Sequence, residues 1–192
     1  HQYNSVIDVP GVDERALDIK NYGNINLTRD GDNENITLSK TDRNNYISTY
    51  AGYRILEQES PTHLNATGTL SGIFDFKDDV NKPAKFSLYT ILPKDVNLTD
   101  VNHVNEIFDN VHIINYNSNV SNDYLTQHCK PIMIKNYKNS GRTYLAFKFD
   151  LKHGDLNSNS SVSVNMGLTI ESEELGNAGY TGRLQSYLTY DD

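Results

Sequence analysis

The chain has 192 residues, with 25 acidic against 17 basic for a net charge of −8, 36% hydrophobic residues and a single cysteine. No run of Lys or Arg is longer than one residue, which argues against nucleic acid and anionic membranes as partners, since both require clustered positive charge. No apolar stretch approaches the roughly 18 residues of a membrane span, the first twenty residues do not read as a secretory signal, and one cysteine excludes an internal disulfide.

From the N-terminus, Leu17 to Asn21, Ile25 to Arg29 and Ile36 to Lys40 are short runs separated by turn residues, and they read as a meander. A longer strand from Tyr46 to Glu57 follows, with Tyr46 and Tyr50 on one face. Thr69 to Lys77 places Leu70, Phe74 and Phe76 on one face, and Ala84 to Leu92 does the same with Phe86 and Leu88. Asp100 is the expected cap of one short helix carrying Val101, Val104, Ile107 and Phe108 and ending near Asn110. Val111 to Tyr116 is another strand. Ser161 to Glu171 is the clearest, with Val162, Val164, Met166, Leu168 and Ile170 at five alternate positions. Arg183 to Tyr190 closes the series with Leu184 and Leu188 inward.

Between these, Ile132 to Leu151 reads as a β-hairpin turning at Asn139-Ser140-Gly141. A turn of two or four residues sets Ile134 opposite Phe147 and Ile132 opposite Phe149, so that one face is apolar on both strands. Tyr137 then faces Tyr144 on the other side. An odd slip sends every side chain of one strand to the wrong face. Nine or ten strands at spacings near ten residues, without a linker or a repeat, predict an all-β fold. The expected form is an antiparallel β-sandwich, Ig-like or jelly-roll-like, with one short helix, residues 1–192 forming a single domain excised from a longer surface protein.

Catalytic patterns are missing from the sequence. The six histidines make no H-E-x-x-H motif, there is no G-x-S-x-G elbow or phosphate-binding glycine loop, and His128 and Cys129 are strand neighbours that point to opposite faces. No enzyme is expected. Asp30, Asp32 and Glu34 place carboxylates at alternate positions of an acidic loop, the arrangement a calcium ion uses, although Asn35 and Thr41 stand where a wrapping loop needs Gly and Glu. A solvated turn accounts for the same residues, so calcium is a candidate and no cofactor is required. Six N-x-Ser/Thr sequons, at Asn26, Asn35, Asn65, Asn97, Asn119 and Asn159, compare with about four expected by chance from 24 Asn and 29 Ser plus Thr. The 13 tyrosines offer rings that can lie against the apolar face of a pyranose, and Tyr137, Tyr144, Tyr46 and Tyr50 are the candidate ligand-binding residues. Bracing of cross-strand neighbours is the competing role for the same rings.

The enrichment in Asn, Asp and Tyr, the lone cysteine and the all-β pattern together resemble a module of a large cell-wall-anchored Gram-positive adhesin, the lactobacillus-type mucus-binding proteins above all. The most typical segments are Tyr144-Leu-Ala-Phe-Lys-Phe-Asp-Leu, Ser161-Val-Ser-Val-Asn-Met-Gly-Leu and Tyr187-Leu-Thr-Tyr. This resemblance implies an extracellular, non-enzymatic domain at the bacterial cell wall. Its partners would be a host glycan, mucin or matrix glycoprotein and the neighbouring domains of the same polypeptide. A stalk module without a ligand is the alternative, and a viral or phage receptor-binding domain a third reading. Internal Lys–Asn isopeptide bonds occur in such adhesins, but the last strand, Arg183 to Tyr190, has no asparagine to form one.

Overall fold

A computed structural model describes residues 24–30, 33–39, 45–76, 84–172 and 178–190, with side chains at 48–74, 84–172 and 178–189. The expected strand at Leu17 to Asn21 lies outside the described residues. Those residues form twelve strands in two antiparallel sheets, so the all-β sandwich stands, with more strands than expected.

The larger sheet runs β1 (Asn24–Asp30), β2 (Asn33–Ser39), β3 (Asn45–Ser60), β4 (His63–Phe76), then β10 (Ser160–Ile170). The two longest partners, β3 and β10, each flank β4 and each take two shorter strands in succession along the opposite edge. On β3 these are β2 and β11 (Thr181–Arg183); on β10 they are β7 (Val111–Tyr116) and β6 (Val96–Leu98). The alternation of β10 appears in full: Val162, Val164, Met166, Leu168 and Ile170 are all buried, with half-exposed residues between them. The smaller sheet is ordered β12 (Tyr187–Tyr190), β5 (Lys85–Leu92), β9 (Thr143–Asp150), β8 (Cys129–Ile134).

One hydrophobic cluster joins the sheets. Phe74 of β4 meets Phe86 edge-on at 5.2 Å, and Phe86 stacks on Phe149 at 5.0 Å. Gly72 permits close approach, because a β-carbon there would lie 3.1 Å from Leu88 and 3.2 Å from Leu188. Alternation explains this layer, since period two sends one set of side chains of each strand inward together.

Three sequence expectations are corrected. The hairpin pairs Ile134 with Tyr144, Pro131 with Phe147 and Cys129 with Phe149, a slip of three residues from the expected register. Its connection is the eight residues from Lys135 to Arg142, where Asn136, Lys138, Asn139 and Gly141 all take positive φ. An odd slip reverses faces. Pro131 and Met133 therefore share the inward face with Phe147 and Leu145, while Ile134 is exposed. Second, the segment Arg183 to Tyr190 is not one strand: β11 belongs to the larger sheet and β12 to the smaller, and Leu184, Gln185 and Ser186 cross between them, all buried. Third, the helical turn at 100–110 is a 3-10 helix at Val104–Asp109 that starts after His103, not at Asp100; Glu106 closes its first turn by accepting from the His103 backbone N–H at 2.9 Å. An α-helix, α1 (Asn122–Gln127), was not expected and is capped by Ser121, whose hydroxyl accepts from the Tyr124 N–H at 3.0 Å.

Candidate functional site

The tyrosines singled out in the sequence divide. Tyr137 and Tyr144 do meet, with ring centroids 5.1 Å apart, but they are only 5% and 1% exposed. A ring enclosed by protein cannot stack on a sugar. They belong to a row that crosses the smaller sheet on the face turned away from β4: Tyr187 stacks on Tyr89 at 4.9 Å, Tyr89 on Tyr144 at 5.5 Å, and Tyr144 on Tyr137. Around this row the smaller sheet is buried on both faces, whereas Lys130, Ile134, Lys148 and Asp150 on the same side are exposed, and the rings brace neighbours across four chain segments. Arg142 fixes the end of the row. Its guanidinium donates to the carbonyls of Leu92 at 3.0 Å and Ile91 at 2.7 Å and to Gln185 Oε1 at 2.8 Å.

The candidate calcium residues fall on the first hairpin. Its register sets Asp30 opposite Asn33 and Glu34 opposite Arg29, so the run is divided between two antiparallel strands and does not wrap as one loop. The carboxyl residues Asp30 and Glu34 are not cross-strand partners, and Asp32 lies outside the described residues. Among the described residues no group of three or more His, Cys, Asp or Glu is placed to hold a metal ion.

Tyr50 has a different setting. It lies on the outer face of the larger sheet, exposed, and its ring folds down over Gly52, the Cζ standing 3.0 Å from where a β-carbon would be. The Arg183 guanidinium sits 5.5 Å from its centroid. Tyr46 pairs with Asp75, four residues earlier on the same strand, and its side chain lies outside the described set.

The register extends this face across four strands. One row is Tyr50, Ser71, Ser163 and Ile114; the next is Ser48, Ile73, Ser161 and Tyr116; a third is Gly52, Thr69, Asn165 and His112. Rows lie about 7 Å apart and strands about 5 Å apart, which makes a flat patch. Tyr50, Ile73, Ile114 and Tyr116 are exposed, Tyr116 at 71%. Between them runs a ladder of hydroxyl and amide groups, Ser71 bonded to Ser163 at 2.8 Å and Thr69 to Asn165 at 3.3 Å. None of these twelve residues is Asp, Glu, Lys or Arg.

Ile73, Ile114 and Tyr116 were not picked out by sequence reasoning. The signal was present, since each is apolar or aromatic on the polar phase of its strand: Ile73 sits between the buried Gly72 and Phe74, and Ile114 follows the buried Ile113.

Elsewhere, the His128 and Cys129 neighbours make no catalytic pair. His128 caps α1, its Nδ1 2.8 Å from the Tyr124 carbonyl and its ring stacked on Tyr124 at 4.0 Å. Burial pushes the Cys129 thiol up to about 12. Tyr124 donates its hydroxyl to Asp155 at 2.8 Å, and this bond raises the phenol above its ordinary range. No helix among the described residues is long and apolar enough to cross a membrane.

No family model matches the sequence, and no curated protein does. Among solved structures, the chain is similar to the RrgA Jo.In complex, at 11% identity over 77% of this chain and 71% of that one, with a TM-score of 0.41. It is also similar to the collagen-binding domain of a Staphylococcus aureus adhesin, at 13% identity over 74% and 97% of the two chains and a TM-score of 0.37. A third likeness is to the major pilin SpaD of Corynebacterium diphtheriae, at 11% identity over 76% of this chain and 35% of that one, with a TM-score of 0.40. None of these reaches a TM-score of 0.5, and the fold stands on the strand pairings given above.

Proposed function

We propose that this chain is a non-enzymatic binding module of an extracellular surface adhesin that docks a glycan on the outer face of its larger sheet. The observation that carries the reading is the patch itself, where four exposed apolar and aromatic side chains alternate with hydrogen-bonding hydroxyls and amides and the Arg183 guanidinium borders Tyr50. Sugars present the same alternation, with C–H faces that pack on rings and aliphatic groups and hydroxyls that pair with polar groups between them. A flat face suits an extended chain better than a single small molecule.

Glycan and mucin arrays test this with the whole chain and its Tyr50→Ala and Tyr116→Ala variants. Saturable binding to a glycan, weakened in both variants at unchanged melting temperature, is the expected result. Absence of binding to any glycan or mucin overturns the reading and favours a stalk module without a ligand.

A further inference from the structure

The same outer face changes character toward its far end. Beyond the row of Gly52 and His112, the register brings Asn65 of β4 beside Thr169 of β10 and Thr169 beside Asn97 of β6. There the face opens into a groove of about 680 Å³ between the β4–β10 pair and the segment 97–102. A second hollow of about 430 Å³ shares Asn65, Thr99, Asp100 and Val101 with it and extends the groove toward Asp109 and Asn110. Clefts of several hundred Å³ are the usual size for small-molecule and oligomer-fragment ligands.

The lining is polar and its charges are uneven. Glu59, Asp100 and Glu171 contribute carboxylates, and Lys135 is the one ammonium. Lys135 Nζ donates to the Val101 carbonyl at 3.3 Å, which leaves its charge uncompensated, and His63 is held between Glu59 at 3.3 Å and Glu171 at 2.9 Å. Asn65 also donates to Glu59, at 3.0 Å, and the Thr99 and Thr169 hydroxyls pair at 2.7 Å. What the groove offers a ligand is amide, hydroxyl and carboxylate oxygen, with three carboxylates set against the single Lys135 ammonium.

We infer that this groove is a second saccharide subsite, and that it selects neutral chains against acidic ones. Amides and hydroxyls both donate and accept, which matches sugar hydroxyls, and a carboxylate accepts from paired hydroxyls. A sialic acid or sulfate placed here would face three carboxylates in a partly enclosed site, and like charges brought together at an interface are how a surface rejects the wrong partner. The inference rests on the glycan-binding reading and adds to it the chemical class of sugar.

A glycan array holding matched chains, each neutral oligosaccharide printed beside its sialylated and sulfated forms, tests it on the whole protein. Signal on neutral members, about tenfold or more above their acidic counterparts at low salt, is expected. In the double variant Asp100→Asn and Glu171→Gln that gap narrows, while Asn97→Ala and Asn102→Ala weaken the neutral chains. Acidic chains bound as well as neutral ones, or glycan binding that responds to Tyr116→Ala and ignores every groove variant, overturns the subsite and leaves the flat-face reading standing. No glycan signal at all overturns both.

Discussion

The ring of Tyr50 rests on Gly52, two residues along the same strand, and occupies the space that any β-carbon at position 52 would need. The strand gives up a side chain at one position so that the preceding ring lies down along the sheet. Gly52→Ala drives a methyl group into the ring and toward the Gly182 carbonyl, 2.9 Å away. We expect a loss of about 1–3 kcal/mol, the usual cost of overpacking, measured by urea unfolding, together with weakened glycan binding because Tyr50 is lifted from the face.

Tyr144 and Tyr116 separate the structural rings from the displayed ones. Tyr144→Ala removes a buried ring from the middle of the stacked row and is expected to cost about 3–5 kcal/mol. Tyr116→Ala, on the open face, should stay within about 0.5 kcal/mol of the parent. Chemical denaturation of both variants gives the comparison, and equal losses would contradict the burial of the row.

Register can be tested at adjacent residues. Met133 shares the inward face with Leu145, and Ile134 is exposed beside Tyr144. Met133→Lys forces an ammonium toward the core and is expected to lower the melting temperature by several degrees or to prevent folding. Ile134→Lys should move it by no more than a degree or two. The register with Ile134 opposite Phe147 reverses that order.

Cys129 gives a pH dependence with a defined sign. Its thiol is raised in the folded chain from 9.0 to about 12 by burial. Below pH 9 the thiol is protonated whether the chain is folded or not, and its contribution is constant. Between pH 9 and 12 only the unfolded chain ionises, so stability falls by up to about 1.4 kcal/mol per pH unit. Urea midpoints measured at pH 8, 9 and 10 should show this fall in the parent and a shallower one in Cys129→Ala, and native Cys129 should resist alkylation until the chain unfolds.

The strands with a free polar face were legible in the sequence, β10 above all, because half-buried strands write their geometry as alternation. The smaller sheet was harder. Phe86 to Leu92 is buried at every position, and a strand covered on both faces loses the alternating signature that marks which side is which. Tyr144 was accordingly expected on an outer face that turned out to be enclosed. Hairpin register was lost to Asn136, Lys138 and Asn139, whose left-handed conformations lengthen the connection without any Asn-Gly pair to announce them. The three-residue β6 leaves too short a pattern to detect, and α1, at six residues, is under two turns long. On the outer face Tyr50 was legible as a displayed tyrosine, whereas its partners Ile73, Ile114 and Tyr116 become a patch only when four strands are laid side by side.

The crossing at Leu184 to Ser186 ties one sheet to the other by the chain itself. The Leu184 N–H donates to the Ala51 carbonyl of the larger sheet at 2.9 Å, and two residues on, Ser186 shares a hydroxyl bond with Thr49 at 2.9 Å just before Tyr187 enters the smaller sheet. Prying the layers apart here means pulling this segment out of both. In exchange with heavy water, the amides of β5 and β12 should open together with those of β3, as one cooperative unit.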